Sequence, residues 1–362
     1  MTTWRDRRIL DLFGIEAPIM LAPMAGPGTA ELAIAVSLAG GLGSLPCAQL
    51  SVDQAHSALE TVRAATSRAV NLNFFCHTPP PPDPARDVAW RARLASYYRE
   101  RGLDPEIATP GAVRQPFNDD FCRLVETSAP EVVSFHFGLP ADPLLGRVKA
   151  AGARVIASAT TVAEALWLEA RGCDAIIAMG LEAGGHRGNF LAHDMARQVG
   201  TFALVPQVVD AVKVPVIAAG GIGDARGIVA ALALGASAVQ IGTAYLFCPE
   251  ARVPPVHLAA LKASGADDTA LTNIFTGRPA RGIINRLMRE FGPMSETAPA
   301  FPLAANGLAP LRTQAEAAGS EDFTNLWAGQ AVSLGRIAPA GELTRRLARE
   351  ALAMLGGKTR ND

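Results

Sequence analysis

Eight short apolar runs, each closed by turn-forming residues, alternate with helix-like segments through the first two-thirds of the chain. They are 18–24 (P-I-M-L-A-P-M), 42–46 (L-G-S-L-P), 69–75 (A-V-N-L-N-F-F), 132–138 (V-V-S-F-H-F-G), 154–159 (R-V-I-A-S-A), 175–179 (A-I-I-A-M), 215–221 (P-V-I-A-A-G-G) and 238–243 (A-V-Q-I-G-T). Runs this short and continuously apolar suit strands buried on both faces, and the helical patterns at 29–39, 161–171 and 224–234 make the connections parallel βα units. Eight such units predict an α/β fold closed into a (β/α)8 TIM barrel. An open doubly wound sheet is the competitor. It would carry a dinucleotide fingerprint after its first strand, and the turn there, A-P-M-A-G-P-G, lacks G-x-G-x-x-G.

At 362 residues and 49% hydrophobic content the chain has material for a barrel and an appendage. Two stretches break the alternation. Residues 76–117 contain P-P-P-P-D-P (79–84), which fits neither a helix interior nor a central strand, so this is a long excursion after the third strand with a helix around 88–101. From 249 to 321 the strand signal vanishes and helical pieces punctuated by Gly and Pro take over. The expected organisation is a barrel over residues 1–248 and a smaller helical substrate or lid domain over 249–321 at the carboxyl-terminal mouth of the barrel. Residues 322–362 form a C-terminal helix returning to the barrel wall.

A formal net charge of −1 leaves no electrostatic footprint for nucleic acid or an anionic membrane, which points to a small-molecule partner. The opening M-T-T-W-R-D-R-R-I-L is followed by no apolar core of a signal peptide, and no apolar segment approaches membrane-spanning length; a cytoplasmic location is expected. Cys47, Cys76, Cys122, Cys173 and Cys248 form no C-x-x-C pair, and the six histidines form no H-x-x-x-H or H-E-x-x-H. Neither a disulfide framework nor a metal site is expected.

The chemistry gathers at strand ends. After the sixth run comes G-L-E-A-G-G-H-R-G (180–188), which sets His186, a side chain that titrates near neutrality, in a turn where Gly184, Gly185 and Gly188 admit a ligand close to the backbone. The seventh and eighth runs end in G-G-I-G-D-A-R-G (220–227) and Q-I-G-T-A (240–244). In a barrel, the loops after the last two strands and a helix amino terminus form a phosphate site from backbone amides, here Gly220, Gly221 and Gly223 with Gly242 and Thr243. A tight turn for helix packing is the plainer reading of one G-G-x-G; two such turns on adjacent strands favour phosphate. Asn71 and Asn73 alternate with apolar residues along the third strand and could face the barrel interior or cap the strand end. His136, flanked by two phenylalanines, is either a core residue or a catalytic helper. With no metal cluster, a phosphate-bearing organic cofactor is the economical inference.

In order along the chain stand A-P-M-A-G-P (22–27), N-L-N-F-F-C-H (71–77), S-F-H-F-G-L-P (134–140), the 180–188 turn, A-A-G-G-I-G (218–223), Q-I-G-T-A, F-T-G-R-P-A-R-G (275–282) and L-W-A-G-Q (326–330). This set resembles the nitronate monooxygenases, formerly called 2-nitropropane dioxygenases, of the group that does not oxidise NAD(P)H. The resemblance implies FMN at the carboxyl end of the barrel, with Ala22, Pro23, Met24 and Met179 among its contacts and Met24 against the ring system. It implies Asn73 near the pyrimidine edge, Gly184 and Gly185 along the rings, and Gly220, Gly221, Gly223, Gln240, Ile241, Gly242 and Thr243 at the phosphate end. His186 matches the catalytic histidine; His136 stays a candidate catalytic residue from its own position, with a core role open.

The reaction so implied oxidises an alkyl nitronate, or a nitroalkane after loss of its α-proton, with O2 to a carbonyl compound and nitrite. The nitronate gives one electron to the flavin, and His186 acts as base or anion stabiliser. A homodimer is the expected assembly. The chain departs from the pattern in two places. Many relatives have Gln where Met179 stands, and residues 291–325 contain neither the Tyr nor the Lys that characterised members carry before L-W-A-G-Q. Arg278, Arg281 or Arg312 is the candidate replacement for that charge. The alternatives are a flavin-dependent enoyl-reductase or NAD(P)H:quinone reductase on the same barrel, and a non-catalytic flavin-binding protein.

Overall fold

Each of the eight apolar runs is a strand in the computed structural model, which describes residues 3–107 and 114–356. In chain order they are β1 (Ile19–Leu21), β2 (Gly43–Pro46), β3 (Val70–Phe75), β4 (Val132–His136), β5 (Arg154–Ala159) and β6 (Ala175–Met179). A two-residue strand outside the barrel, β7 (Gly185–His186), intervenes before β8 (Val216–Ala219) and β9 (Ala238–Ile241). The barrel strands neighbour one another in the order β1-β9-β8-β6-β5-β4-β3-β2, and a parallel bridge between Met20 and Leu42 joins the two ends. The sheet is therefore a closed TIM barrel.

The helices start where capping chemistry dictates. Thr29, Thr161 and Asp224 each accept a hydrogen bond from a backbone N–H in the first turn of Ala30–Leu38, Val162–Ala170 and Ala225–Ala233. The terminal helix Ala340–Leu355 packs on the first and last of these. Residues 325–339, which the sequence suggested to be helical, hold only a short 3₁₀ turn at Val332–Leu334. Near the mouth the barrel interior turns polar. Asn71 donates to Ser44 Oγ at 3.0 Å and Asn73 to Ser134 Oγ at 2.9 Å, so both face the interior and neither caps a strand end.

A second core lies beside the barrel. Trp90, Leu94, Tyr97 and Tyr98 of the excursion helix Pro84–Glu100 pack with Leu308, Leu311 and Ala315 of Ala304–Ala317 and with Ile274, Leu287 and Phe323. Trp90 Nε1 donates to the Ala304 carbonyl and Tyr98 Oη to that of Gly307, so the two excursions from the barrel form one layer. Residues 108–113 of the first excursion and 357–362 of the tail lie outside the described residues. The stretch 249–321, read from sequence as helical, also carries strands: β10 (Thr269–Thr272) and β11 (Ala280–Ile283) form an antiparallel sheet with β7. Among the described residues no helix is long and apolar enough to cross a membrane.

Candidate active site

The carboxyl ends of the barrel strands open into a cavity of about 740 Å³. It brings together Ala22, Pro23 and Met24 after β1, Asn73 on β3, His136 on β4, Met179 on β6, and the Gly184, Gly185 and His186 turn. Gly220, Gly221 and Gly223 follow β8, and Gln240, Gly242 and Thr243 belong to β9 and its end. Ile241 alone of the expected set is not on this wall. The pleat turns Gln240 inward and Ile241 outward, where its side chain is 1% exposed among core residues.

The turn after β8 has the form of an anion cradle. Gly220 and Gly221 adopt φ of 106° and 71°, a region closed to most L-residues. The amides of Gly221, Ile222, Gly223 and Gly242 donate to nothing among the described residues. Gln240 Oε1 is buried without a partner. Unspent amides around a concave turn are what a phosphate takes up, and a lone buried acceptor on the same wall calls for a ligand donor.

The glycine turn after β6 is held by buried arginines. Arg187 is fully buried; it donates to the Gly180 carbonyl at 2.7 Å, to that of Met179 at 2.9 Å and to Gln198 Oε1. Burial, with no carboxylate at ion-pair distance among the described residues, pushes its guanidinium down to about 10, still charged at neutral pH. Arg281 donates to the Leu181 carbonyl at 3.0 Å and to Thr269, spending its charge on the turn rather than on the cavity. Gly184 admits no side chain, because a Cβ there would lie 2.5 Å from the Gly329 nitrogen and 2.6 Å from the Ala328 carbonyl carbon.

His186 emerges from this turn paired with Ala280 of β11, its Nε2 2.9 Å from Thr276 Oγ1 and its ring among Phe75, Phe137, Phe301 and Trp327. Burial, with Arg114, His136, Arg278 and His77 nearby, holds its pKa well below the usual imidazole value, so the ring is neutral at pH 7. His136 uses both ring nitrogens: Nδ1 lies 2.6 Å from Ser158 Oγ, and Nε2 lies 3.1 Å from the His186 carbonyl, to which it donates. Burial lowers it to about 3. It therefore has no free nitrogen for substrate, and it fixes the backbone on which His186 stands.

Comparison with known proteins is consistent from end to end. The nitronate monooxygenase family model matches residues 6–350. A nitronate monooxygenase of Pseudomonas aeruginosa is 42% identical over 95% of this chain and 98% of its own length. The chain belongs to the nitronate monooxygenase family. It is an oxidoreductase, in keeping with a nitroalkane oxidase structure from Streptomyces ansochromogenes that superposes with a TM-score of 0.86 at 38% identity, over 96% of this chain and 99% of that one. The enoyl reductase domain of MlnA from Bacillus amyloliquefaciens matches with a TM-score of 0.65 at 14% identity, covering 99% of each chain, which carries the barrel fold alone.

Two arginines, Arg114 and Arg312, stand on the cavity wall as candidates for the anion-pocket charge. Arg114 stands 5.5 Å over the Phe301 ring that also touches His186, which puts it at the same end of the cavity. Burial and the neighbouring Arg312 push it down to about 10. Among the described residues neither arginine has an ion-pair partner; Glu316 on the same wall accepts from Thr324 Oγ1 instead. Of the sequence candidates, Arg312 lines the cavity, whereas Arg278 stacks on Phe137 at 3.8 Å and donates to the Asn189 carbonyl. Arg114 was not among those candidates. Its place beside His186 depends on how the proline-rich excursion docks, and no local pattern encodes that.

Proposed function

We propose that this chain binds FMN at the barrel mouth and oxidises alkyl nitronates, and nitroalkanes after deprotonation, with O2 to a carbonyl compound and nitrite. The observation that carries the reading is a single cavity that joins a turn of unspent amides, beside the unpartnered Gln240 Oε1, to a neutral imidazole facing the same space. About 740 Å³ is within the roughly 300–1,000 Å³ usual for cofactor and ligand sites. Gly220, Gly221, Gly223, Gly242 and Thr243 would hold the phosphate, while Met24, Asn73, Met179, Gly184 and Gly185 would lie along the ring system. When bound, the flavin supplies the redox chemistry, taking electrons from the nitronate and passing them to O2.

The chain's own residues do the rest. His186, neutral because it is desolvated and lies near the Arg114 and Arg278 cations, accepts the α-proton of a nitroalkane. The imidazolium so formed, with Arg114 and Arg312, then faces the nitronate anion. His136 is a positioning residue, acting through the His186 carbonyl. Trp327, Phe301 and the layer built on Pro84–Glu100 and residues 249–321 form the apolar cover that keeps bulk water from the reacting centre.

The test is His186→Asn assayed on a nitroalkane and on its preformed nitronate. A general base is worth about 10²–10⁴-fold, and the nitronate has already lost its proton, so the loss should fall on the nitroalkane alone. Equal losses on both would reject the base role in favour of anion stabilisation.

A further inference from the structure

We propose that Thr276 is a positioning residue for proton abstraction: it holds the Nε2 proton of His186, so that Nδ1 is the basic atom presented to substrate. The proposal rests on the reading of His186 as base. Thr276 Oγ1 lies 2.9 Å from His186 Nε2 and 3.4 Å from the carbonyl oxygen of Arg278. A carbonyl only accepts, and a hydroxyl has one proton to give. Three groups meet here, and one arrangement gives each a partner: Nε2–H donates to Oγ1, and Oγ1–H donates to the carbonyl. In the reverse arrangement the hydroxyl turns to Nε2. The Arg278 carbonyl, which accepts no other hydrogen bond among the described residues, then loses its one protein donor beside Thr276, a residue only 2% exposed.

The other ring nitrogen is the free one. His186 lines the cavity, and its Nδ1 has no hydrogen-bond partner among the described residues and is not sealed from the open volume. Both the ring and its backbone are fixed. Ala280, four residues after Thr276, pairs with His186 across β11 and β7, while His136 Nε2 holds the His186 carbonyl. Thr276, in the turn before β11, and β11 itself thus set the tautomer and the aim of the imidazole together. In the step itself the substrate α C–H bond breaks, its electron pair passes into the nitro group to give the nitronate, and the proton bonds to Nδ1. Nε2–H stays on Thr276 throughout, so no second proton moves.

Two readouts test this. In protein labelled with ¹⁵N-histidine, with His186 assigned by its loss in His186→Asn, the wild type and Thr276→Ser should show a protonated, pyrrole-like Nε2 and a bare, pyridine-like Nδ1 near neutral pH. Thr276→Val should show mixed tautomers. A proton on Nδ1 of the wild type overturns the proposal whatever the activity. In kinetics, Thr276→Val should lower kcat/KM for nitroethane about 10-fold, leave ethylnitronate within about twofold, and be rescued by Thr276→Ser. No loss on nitroethane, or equal losses on both substrates, overturns the positioning role. Failure of the wild type to oxidise nitroethane refutes the base reading itself, and the tautomer spectrum still decides separately whether Thr276 holds the Nε2 proton.

Discussion

Arg187→Met is the substitution that most sharply separates a built site from a loop that happens to lie at the barrel mouth. Met matches the length of the stem and removes the donors to the carbonyls of Met179 and Gly180 and to Gln198 Oε1. Two effects oppose each other. Burial has lowered the guanidinium from 12.5 to about 10, so the charge sits in the fold at a penalty on the order of 3 kcal/mol that the substitution relieves. Against that, Gln198 Oε1 loses its donor, and the Met179 and Gly180 carbonyls each lose one. A buried acceptor left unpaired costs about 1–3 kcal/mol, and a hydrogen bond from a charged donor is worth about 1.5–3 kcal/mol, so three such acceptors together outweigh the relief. The Gly180 carbonyl retains the Ala183 amide, which trims the sum. The net expectation is a loss of about 3 kcal/mol, or a drop in Tm of about 4 °C in a chain of this size. Thermal melts followed by circular dichroism measure it, with flavin retained per chain as the second readout. A Tm within about 1 °C of wild type with full flavin content would refute the argument that Arg187 holds the turn.

Other expectations follow from the same geometry. Burial lowers His77 and His257 to about 4 and His136 to about 3, so below about pH 6.5 the unfolded chain binds protons that the folded one refuses. Stability should be full above that pH and fall as pH drops towards 4, by up to about 3 kcal/mol per histidine; a Tm independent of pH between 7 and 5 would contradict this. Because the pKa of His186 is held low in the same way, the acid limb of kcat/KM for a nitroalkane should lie below the ordinary imidazole value, and a midpoint at or above it would count against a desolvated base. Gly221→Leu puts a side chain on a backbone at φ 71° with a Cβ 3.4 Å from that of Glu182, and should strip FMN from the purified protein; full cofactor content in this variant would remove the phosphate cradle from that turn.

Much of the fold was legible because parallel strands buried on both faces leave an unbroken apolar signature, and because Thr29, Thr161 and Asp224 announce helix starts by their own capping chemistry. The glycine turns after β6, β8 and β9 were legible for a related reason, since left-handed or closely approached backbone demands glycine at particular positions. The sheet of β7, β10 and β11 was not. Its members are two to four residues long, and T-A-L-T pairs with A-R-G-I, which alone pairs with the His186 turn, partnerships that no local pattern announces. Ile241 faces the core rather than the cavity because strand alternation separates it from Gln240, which a reading of Q-I-G-T as one turn passes over. Arg187 stood in plain sight next to His186, yet a charged residue after a glycine turn reads as solvent-facing until its burial is known. Arg114 had no local signal at all.

The central claim is that the cavity holds FMN and oxidises nitronates without a nicotinamide. Anaerobic mixing of the purified protein with ethylnitronate, and separately with NADH or NADPH, followed at the oxidised-flavin absorption band, tests it most directly. Rapid loss of that band is expected with ethylnitronate, and none on the same timescale with either nicotinamide. Bleaching by NADH or NADPH with no response to nitronate would contradict it and favour a reductase on this barrel.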